Sequence, residues 1–140
     1  MQVKRLTKTA KLPTKAYPGD AGFDLYADIE NFIELYPGKK VLIPTGCSFS
    51  IPEGYYGRIA DRSSVAWKNS CHVLAGVVDS QYSGEVKIVL INLGDKVFTI
   101  NPGDKISQLI ITQIYIGNLL EVEELNKTER GEGGFGSSGK

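Results

Sequence analysis

The chain has 140 residues, with 16 basic and 16 acidic side chains and a formal net charge of zero. That length suits one domain with a real core, and the balanced charge excludes a broad basic field for nucleic acid. No apolar run is long enough to span a membrane, the N-terminus has no signal-peptide pattern, and two cysteines make neither a disulfide framework nor a metal spacing.

Cys47 and Cys71 are expected as small core residues in a reducing, cytoplasmic compartment, and the single histidine, His72, as a structural residue.

Turn signals recur at short intervals along the chain: Pro18-Gly19-Asp20, Tyr36-Pro37-Gly38, Pro52-Glu53-Gly54, Ser83-Gly84, Leu93-Gly94-Asp95 and Asn101-Pro102-Gly103-Asp104. Between them lie runs rich in β-branched and aromatic residues, which predict strands over Lys40–Pro44, Cys47–Ile51, Tyr55–Ala60, Val86–Ile91, Val97–Ile100 and Ile106–Ile116. Many short strands at this spacing predict an all-β sandwich or barrel. The nearly continuous apolar run Val86–Ile91 predicts a strand buried on both faces, whereas Ile106–Ile116, interrupted by Ser107, Gln108, Thr112 and Gln113, predicts one polar face.

One short helix is expected through Val65-Ala66-Trp67-Lys68, capped by Ser63 or Ser64. It places Arg62 and the first serine at a helix start, where free N–H groups favour an anion. Leu119 to Glu129 is acidic and aperiodic, and reads as an exposed connector. The chain therefore divides into a β domain over residues 1–125 and a flexible glycine-rich arm over 126–140.

The arm ends Arg130-Gly-Glu-Gly-Gly-Phe-Gly-Ser-Ser-Gly-Lys140. Five glycines cannot hold a helix or bury a core. One aromatic face, fixed charges, hydroxyls and unhindered N–H groups can close over a base and a polyphosphate. Gly134, Gly139 and Lys140 have Walker A spacing, but no strand leads in and no Ser/Thr or helix follows, so a P-loop is excluded.

In Val77-Val78-Asp79-Ser80-Gln81-Tyr82-Ser83-Gly84, an Asp follows two valines and opens a turn at a strand end. Such a carboxylate can orient and deprotonate a water, and Tyr82 three residues on can present its ring to a ligand.

Five segments resemble, in order, the five motifs of the trimeric deoxyuridine triphosphatases: Ala21-Gly-Phe-Asp-Leu-Tyr-Ala27, Gly57-Arg-Ile-Ala-Asp-Arg-Ser-Ser-Val-Ala66, Gly76-Val-Val-Asp-Ser-Gln-Tyr-Ser-Gly-Glu85, Gly103-Asp-Lys-Ile-Ser-Gln-Leu-Ile110 and Arg130-Gly-Glu-Gly-Gly-Phe-Gly-Ser-Ser-Gly139. Together they span nearly the whole chain, and five in family order are specific where each alone is weak. The resemblance implies a jelly-roll-like β-barrel or sandwich, a homotrimer with three sites at subunit interfaces, and a C-terminal arm that closes each site. It implies hydrolysis of dUTP to dUMP and pyrophosphate by water attack on the α-phosphorus, with Mg2+ held by the triphosphate rather than by the protein.

Position by position, the resemblance makes Asp79 the residue that activates the water. Tyr82 would lie against the deoxyribose and leave no room for a 2′-hydroxyl. Backbone at Gly76, Val77, Val78 and Lys87 would read the uracil edge. Arg62, Ser63, Ser64 and Gln108 would hold phosphates. Phe135 would stack on uracil, while Arg130, Gly136, Ser137 and Ser138 would complete the closed site. Asp24 would be structural, a support for an Arg.

Two positions depart from the family pattern. Asp61 stands where Pro is usual, and its charge beside a phosphate site must point away or pair, with Arg58 or Lys68 as expected partners. Gln81 stands where Asp is usual. The Arg62-Ser63-Ser64 form resembles the dCTP deaminases of the same fold, but their catalytic Glu position falls on Val89, which cannot shuttle protons. A non-catalytic nucleotide-binding module is the other alternative.

Overall fold

The computed structural model describes residues 1–134. It contains eleven strands and one helix: β1 (Gln2–Arg5), β2 (Gly22–Tyr26), β3 (Ile33–Leu35), β4 (Lys40–Pro44), β5 (Cys47–Ser50), β6 (Tyr55–Ala60), α1 (Ser63–Asn69), β7 (Cys71–Leu74), β8 (Val77–Val78), β9 (Lys87–Asn92), β10 (Phe98–Ile100) and β11 (Lys105–Gln113). The fold is all-β with one short helix, as the turn spacing predicts.

The strands do not close into a barrel. They form a four-stranded sheet in the order β2-β11-β6-β8, a three-stranded sheet β4-β9-β7, and the pairs β1-β5 and β3-β10, all antiparallel. One hydrophobic core takes Leu25, Ile59 and Leu109 from the first sheet and Ile43, Val73, Ile88 and Leu90 from the second. The architecture is a sandwich, with edges at β2 and β8 of the four-stranded sheet and at β4 and β7 of the three-stranded one.

Of the expected strands, β4 and β6 have the anticipated limits and the others shift by one to three residues. β9 is not buried on both faces. Ile88, Leu90 and Asn92 are buried, while Lys87 is exposed and Val89 and Ile91 are half-buried. Its outward positions Val89 and Ile91 are apolar too, so the run is continuous in sequence without being covered on both faces. β11 stops at Gln113 because Ile114–Ile116 leave the sheet, and its start carries a register shift between Lys105 and Ser107.

The helix also differs. Its N-cap is Arg62, in extended conformation, and no side chain caps it. The first main-chain bonds of the helix run from Val65 and Ala66 N–H to the Arg62 carbonyl, and only Val65 is buried from this helix. Seven residues with one buried contact make a marginal helix, so its position depends on the ends that anchor it.

Both cysteines are buried free thiols, and burial pushes both above the ordinary thiol range. Asn92 is fully buried yet satisfied: its amide donates to the Leu35 and Lys96 carbonyls, and its oxygen accepts from Gly94 N–H. It ties β9 to the ends of β3 and the following turn.

Ser107 is the exception. Its hydroxyl is fully buried in β11 and has no hydrogen-bond partner among the described residues. An unpaired buried hydroxyl costs stability. Ser107→Ala is expected to raise unfolding stability by about 1 kcal/mol, read from the urea midpoint at unchanged slope.

Candidate active site

The first motif places Asp24 in the middle of β2, next to β11. Its Oδ1 accepts from Arg62 Nε at 2.8 Å and its Oδ2 from Lys105 Nζ at 2.7 Å. Arg62 Nη1 also donates to the Lys105 carbonyl at 3.2 Å. One carboxylate thus pins an arginine at the β6–α1 corner and a lysine at the start of β11. Burial pushes Asp24 up, and the hydrogen bonds from Lys105 and Arg62 more than reverse this, so its carboxyl titrates below the usual range. Asp24 thus hydrogen-bonds an arginine and also Lys105, which the sequence places in the fourth motif beside a turn without marking it as a partner.

Gln108, on β11 opposite Asp24, donates from Nε2 to the Asp61 carbonyl at 2.7 Å. Its side chain crosses the face of Gly22 so closely that any β-carbon there would collide with it. Arg62, Ser63, Gln108 and Asp24 line one cleft of about 270 Å3 with Ala16, Asp20, Ala21 and Gly22. Ser64 lies against Arg62, with 3.5 Å between Nη1 and Oγ. The donors expected to hold phosphate are therefore gathered in one place.

A second cleft of about 350 Å3 is lined by Val77, Val78, Asp79, Tyr82 and Lys87, with Leu42, Ile59, Ala75, Glu85 and Val86. β8 is an edge strand, so one side of its backbone pairs with β6 and the other faces outward. Asp79 follows β8 directly and is exposed, and its carboxylate makes no hydrogen bond or ion pair among the described residues. The Tyr82 N–H closes a turn onto the Asp79 carbonyl at 3.1 Å. The Tyr82 ring folds over Gly84 and its hydroxyl donates to the Glu85 carbonyl at 2.9 Å. A side chain at Gly84 would displace that ring. Gly76 does not line the cleft; its carbonyl accepts from Ile59 N–H.

The two clefts share no lining residue. Val78 is paired with Gly57, so Asp79 lies level with Tyr56, four residues before the end of β6 at Ala60. At strand rise that is about 13 Å before the Arg62 corner is reached. Each cleft is near or below the lower end of the ~300–1,000 Å3 of a typical small-molecule site.

Asp61 pairs neither with Arg58 nor with Lys68. Its Oδ2 lies 2.7 Å from His72 Nδ1, and its Oδ1 accepts from Val73 N–H at 2.7 Å. The carboxylate turns toward β7 because an N–H and an imidazole are within reach there. His72 thus holds the Asp61 carboxylate on β7. Arg130 lines neither cleft, and its Nε donates to the Gly133 carbonyl at 2.8 Å. Phe135, Gly136, Ser137 and Ser138 lie outside the described residues. Among the described residues, no group of three or more metal-ligating side chains comes together, and no helix is long and apolar enough to cross a membrane.

Because Asp24 is held ionised in the fold, its contribution is complete above the unfolded carboxylate value and is lost as pH falls through the folded one. Asp24→Asn is therefore expected to lower stability by about 2 kcal/mol at neutral pH, with the gap to wild type narrowing below about pH 4. Denaturant titrations at several pH values measure it.

The dUTPase family model matches residues 8–139. The deoxyuridine 5'-triphosphate nucleotidohydrolase of Arabidopsis thaliana is 45% identical over 139 residues, covering 99% of this chain and 82% of that protein. The enzyme of the same name from Caulobacter vibrioides is 46% identical, covering 99% and 94%. Among solved structures, the Staphylococcus bacteriophage 80alpha dUTPase with dUpNHpp superposes with a TM-score of 0.88 at 33% identity, covering 99% of this chain and 98% of that one. A dUTPase from phage phi11 of S. aureus, whose structure describes the coordination of a structural Mg(II) ion, gives 0.82 at 29% identity, covering 90% and 98%. With a family model over nearly all its length and relatives this similar from end to end, the chain belongs to the dUTPase family.

Proposed function

We propose that the chain hydrolyses dUTP to dUMP and pyrophosphate, in a site that two or more copies assemble together. The observation that carries this reading is the division of the expected groups between two separate clefts. Arginine, serine and glutamine donors suited to a polyphosphate gather around Arg62. The free carboxylate, the tyrosine ring and the open strand edge gather around Asp79. A nucleoside triphosphate needs both sets at once, and one chain holds them at opposite ends of β6. Bringing the Arg62 cleft of one copy against the Asp79 cleft of another joins them.

The surface supports assembly. Residues 114–125 carry Ile114, Tyr115, Ile116, Leu119, Leu120, Val122 and Leu125, all exposed on the single chain. A run of apolar side chains of this size is ordinarily covered by a partner. A homotrimer is the assembly that the family resemblance implies.

Within the joined site each residue has a distinct task. Unpaired N–H and C=O groups of Val77 and Val78 meet the base edge as a neighbouring strand would, with Lys87 alongside. Tyr82, held by its hydroxyl to the Glu85 carbonyl, is a fixed wall for the sugar. A wall excludes an added hydroxyl by contact, which selects the deoxyribose. The Asp79 carboxylate accepts a proton from a water as the water oxygen bonds to the α-phosphorus, and pyrophosphate leaves with the bonding electron pair. Arg62 and Gln108 hold the phosphates in line, with Ser63 and Ser64 alongside, and most of the rate gain comes from that positioning. Mg2+ bound through phosphate oxygens and water would neutralise charge on the triphosphate; the described residues offer it no carboxylate cage of their own. The arm, with Arg130, Phe135, Gly136, Ser137 and Ser138, would close the site and exclude bulk water.

Pyrophosphate release from dUTP with Mg2+ tests the activity, with UTP, dCTP and dTTP as controls. dUTP is expected to be the preferred substrate, without ammonia release from dCTP; tight binding without release would favour a binding module instead. Asp79→Asn is expected to keep dUTP affinity within about threefold while turnover falls by about 100-fold or more. Near-normal turnover would refute the base assignment. Deleting residues 128–140 should leave the thermal midpoint unchanged and lower kcat/KM about tenfold or more.

A further inference from the structure

The corner between β6 and α1 holds Arg62, yet nothing in α1 itself fixes that corner. The helix is seven residues long, buries one side chain and has no side-chain cap. Arg62 and Gln108 converge on this corner from different directions. The arginine reaches Asp24 and the Lys105 carbonyl, and Gln108 donates to the main-chain carbonyl of Asp61. All three depend on where residues 61 and 62 sit.

Asp61 meets both sides of this arrangement. Its side chain faces away from the cleft, onto β7 of the three-stranded sheet, where Oδ1 takes the Val73 N–H and Oδ2 faces the His72 imidazole, each at 2.7 Å. Its own carbonyl takes the amide of Gln108, which lines the cleft, also at 2.7 Å. The residue is half-buried and the two carboxylate contacts point the same way. A carboxylate that accepts a main-chain N–H and faces an imidazole is a short, directional anchor. Charge alone would place this group badly, one residue from a phosphate-binding arginine. Its orientation removes that conflict by turning the charge toward His72.

We propose that Asp61 is a positioning residue for triphosphate binding: it staples the β6–α1 corner to β7, and thereby sets the Asp61 carbonyl that aims Gln108 and the backbone that carries Arg62. This rests on the reading that Arg62 and Gln108 hold the phosphates. The staple works on the phosphate cleft only. Asp79, Tyr82, Val77 and Val78 line a different cleft, to which Asp61 makes no hydrogen bond. Loss of the staple therefore weakens recognition of the phosphate chain and leaves recognition of the nucleoside unchanged.

The test compares Asp61→Ala, Asp61→Asn and Arg62→Ala in the full-length protein, with Kd measured for dUpNHpp and for deoxyuridine. Asp61→Ala is expected to weaken dUpNHpp binding about tenfold with deoxyuridine binding unchanged. Asp61→Asn keeps an acceptor for Val73 N–H and an amide that can face His72, and is expected to restore most of the affinity. Should Asp61→Ala fail to fold, Asp61→Asn and His72→Ala, which each remove part of the staple, are expected to give smaller losses confined to dUpNHpp. Equal weakening of both ligands, or none, overturns the proposal. If Arg62→Ala also leaves dUpNHpp binding intact, the phosphate-cleft reading itself falls; if Arg62→Ala weakens it and Asp61→Ala does not, only the role of Asp61 falls.

Discussion

Strand β6 sets the constraint on which the functional reading depends. At one end it pairs with β8 and so places the edge backbone of Val77 and Val78, with Asp79 just beyond. At the other end it runs into the corner that carries Asp61 and Arg62. A strand is stiff, and its rise keeps these ends about 13 Å or more apart. In one copy the two sets of groups therefore line separate clefts. That separation is what supports the proposed shared site.

The Arg62 end is built around one carboxylate. Asp24 in β2 takes Arg62 and Lys105 together, and Gln108 leaves β11 one strand away. The sheet order β2-β11-β6 is what makes this possible, because it puts the first, fourth and second motifs side by side. The pairing holds Arg62 by its Nε and by one Nη1 contact to a carbonyl, so the guanidinium is oriented before any anion arrives. Preorganised donors of this kind act on phosphoryl transfer chiefly through position and charge. At the other end, the Asp79 carboxylate is exposed with no partner among the described residues, which leaves its lone pairs available to water.

The β-rich character, two strands with their limits and the identity of the short helix were legible in the sequence, because turn residues and β-branched runs are local signals. β2 carries a motif but no clear strand signal, since Asp24 and Gly22 lower its propensity and its place is set by pairing with β11. β1 escaped because all four residues are exposed and two are charged. The burial of β9 was misjudged because an apolar run does not reveal which face meets the core. Asp61 shows the limit most clearly. Its need to be paired could be inferred from charge, but its partners on β7 depend on a contact between sheets that no local pattern encodes. Asp79, Tyr82 and Arg62 stood out locally, at a strand end and a helix start, whereas Gln108 was legible only because five separated motifs appeared together; the edge-strand geometry around Val77 and the role of Lys105 needed the fold.

Subunit complementation tests the shared site most directly. Asp79→Asn and Arg62→Ala, each impaired alone, would be co-expressed and the mixed assemblies assayed for pyrophosphate release from dUTP. A site that draws one group from each of two randomly mixed copies is intact one time in four, so the account predicts recovery to about a quarter of wild-type activity. Activity no greater than that of the two variants measured separately would contradict it, and would place both groups in the same chain's site.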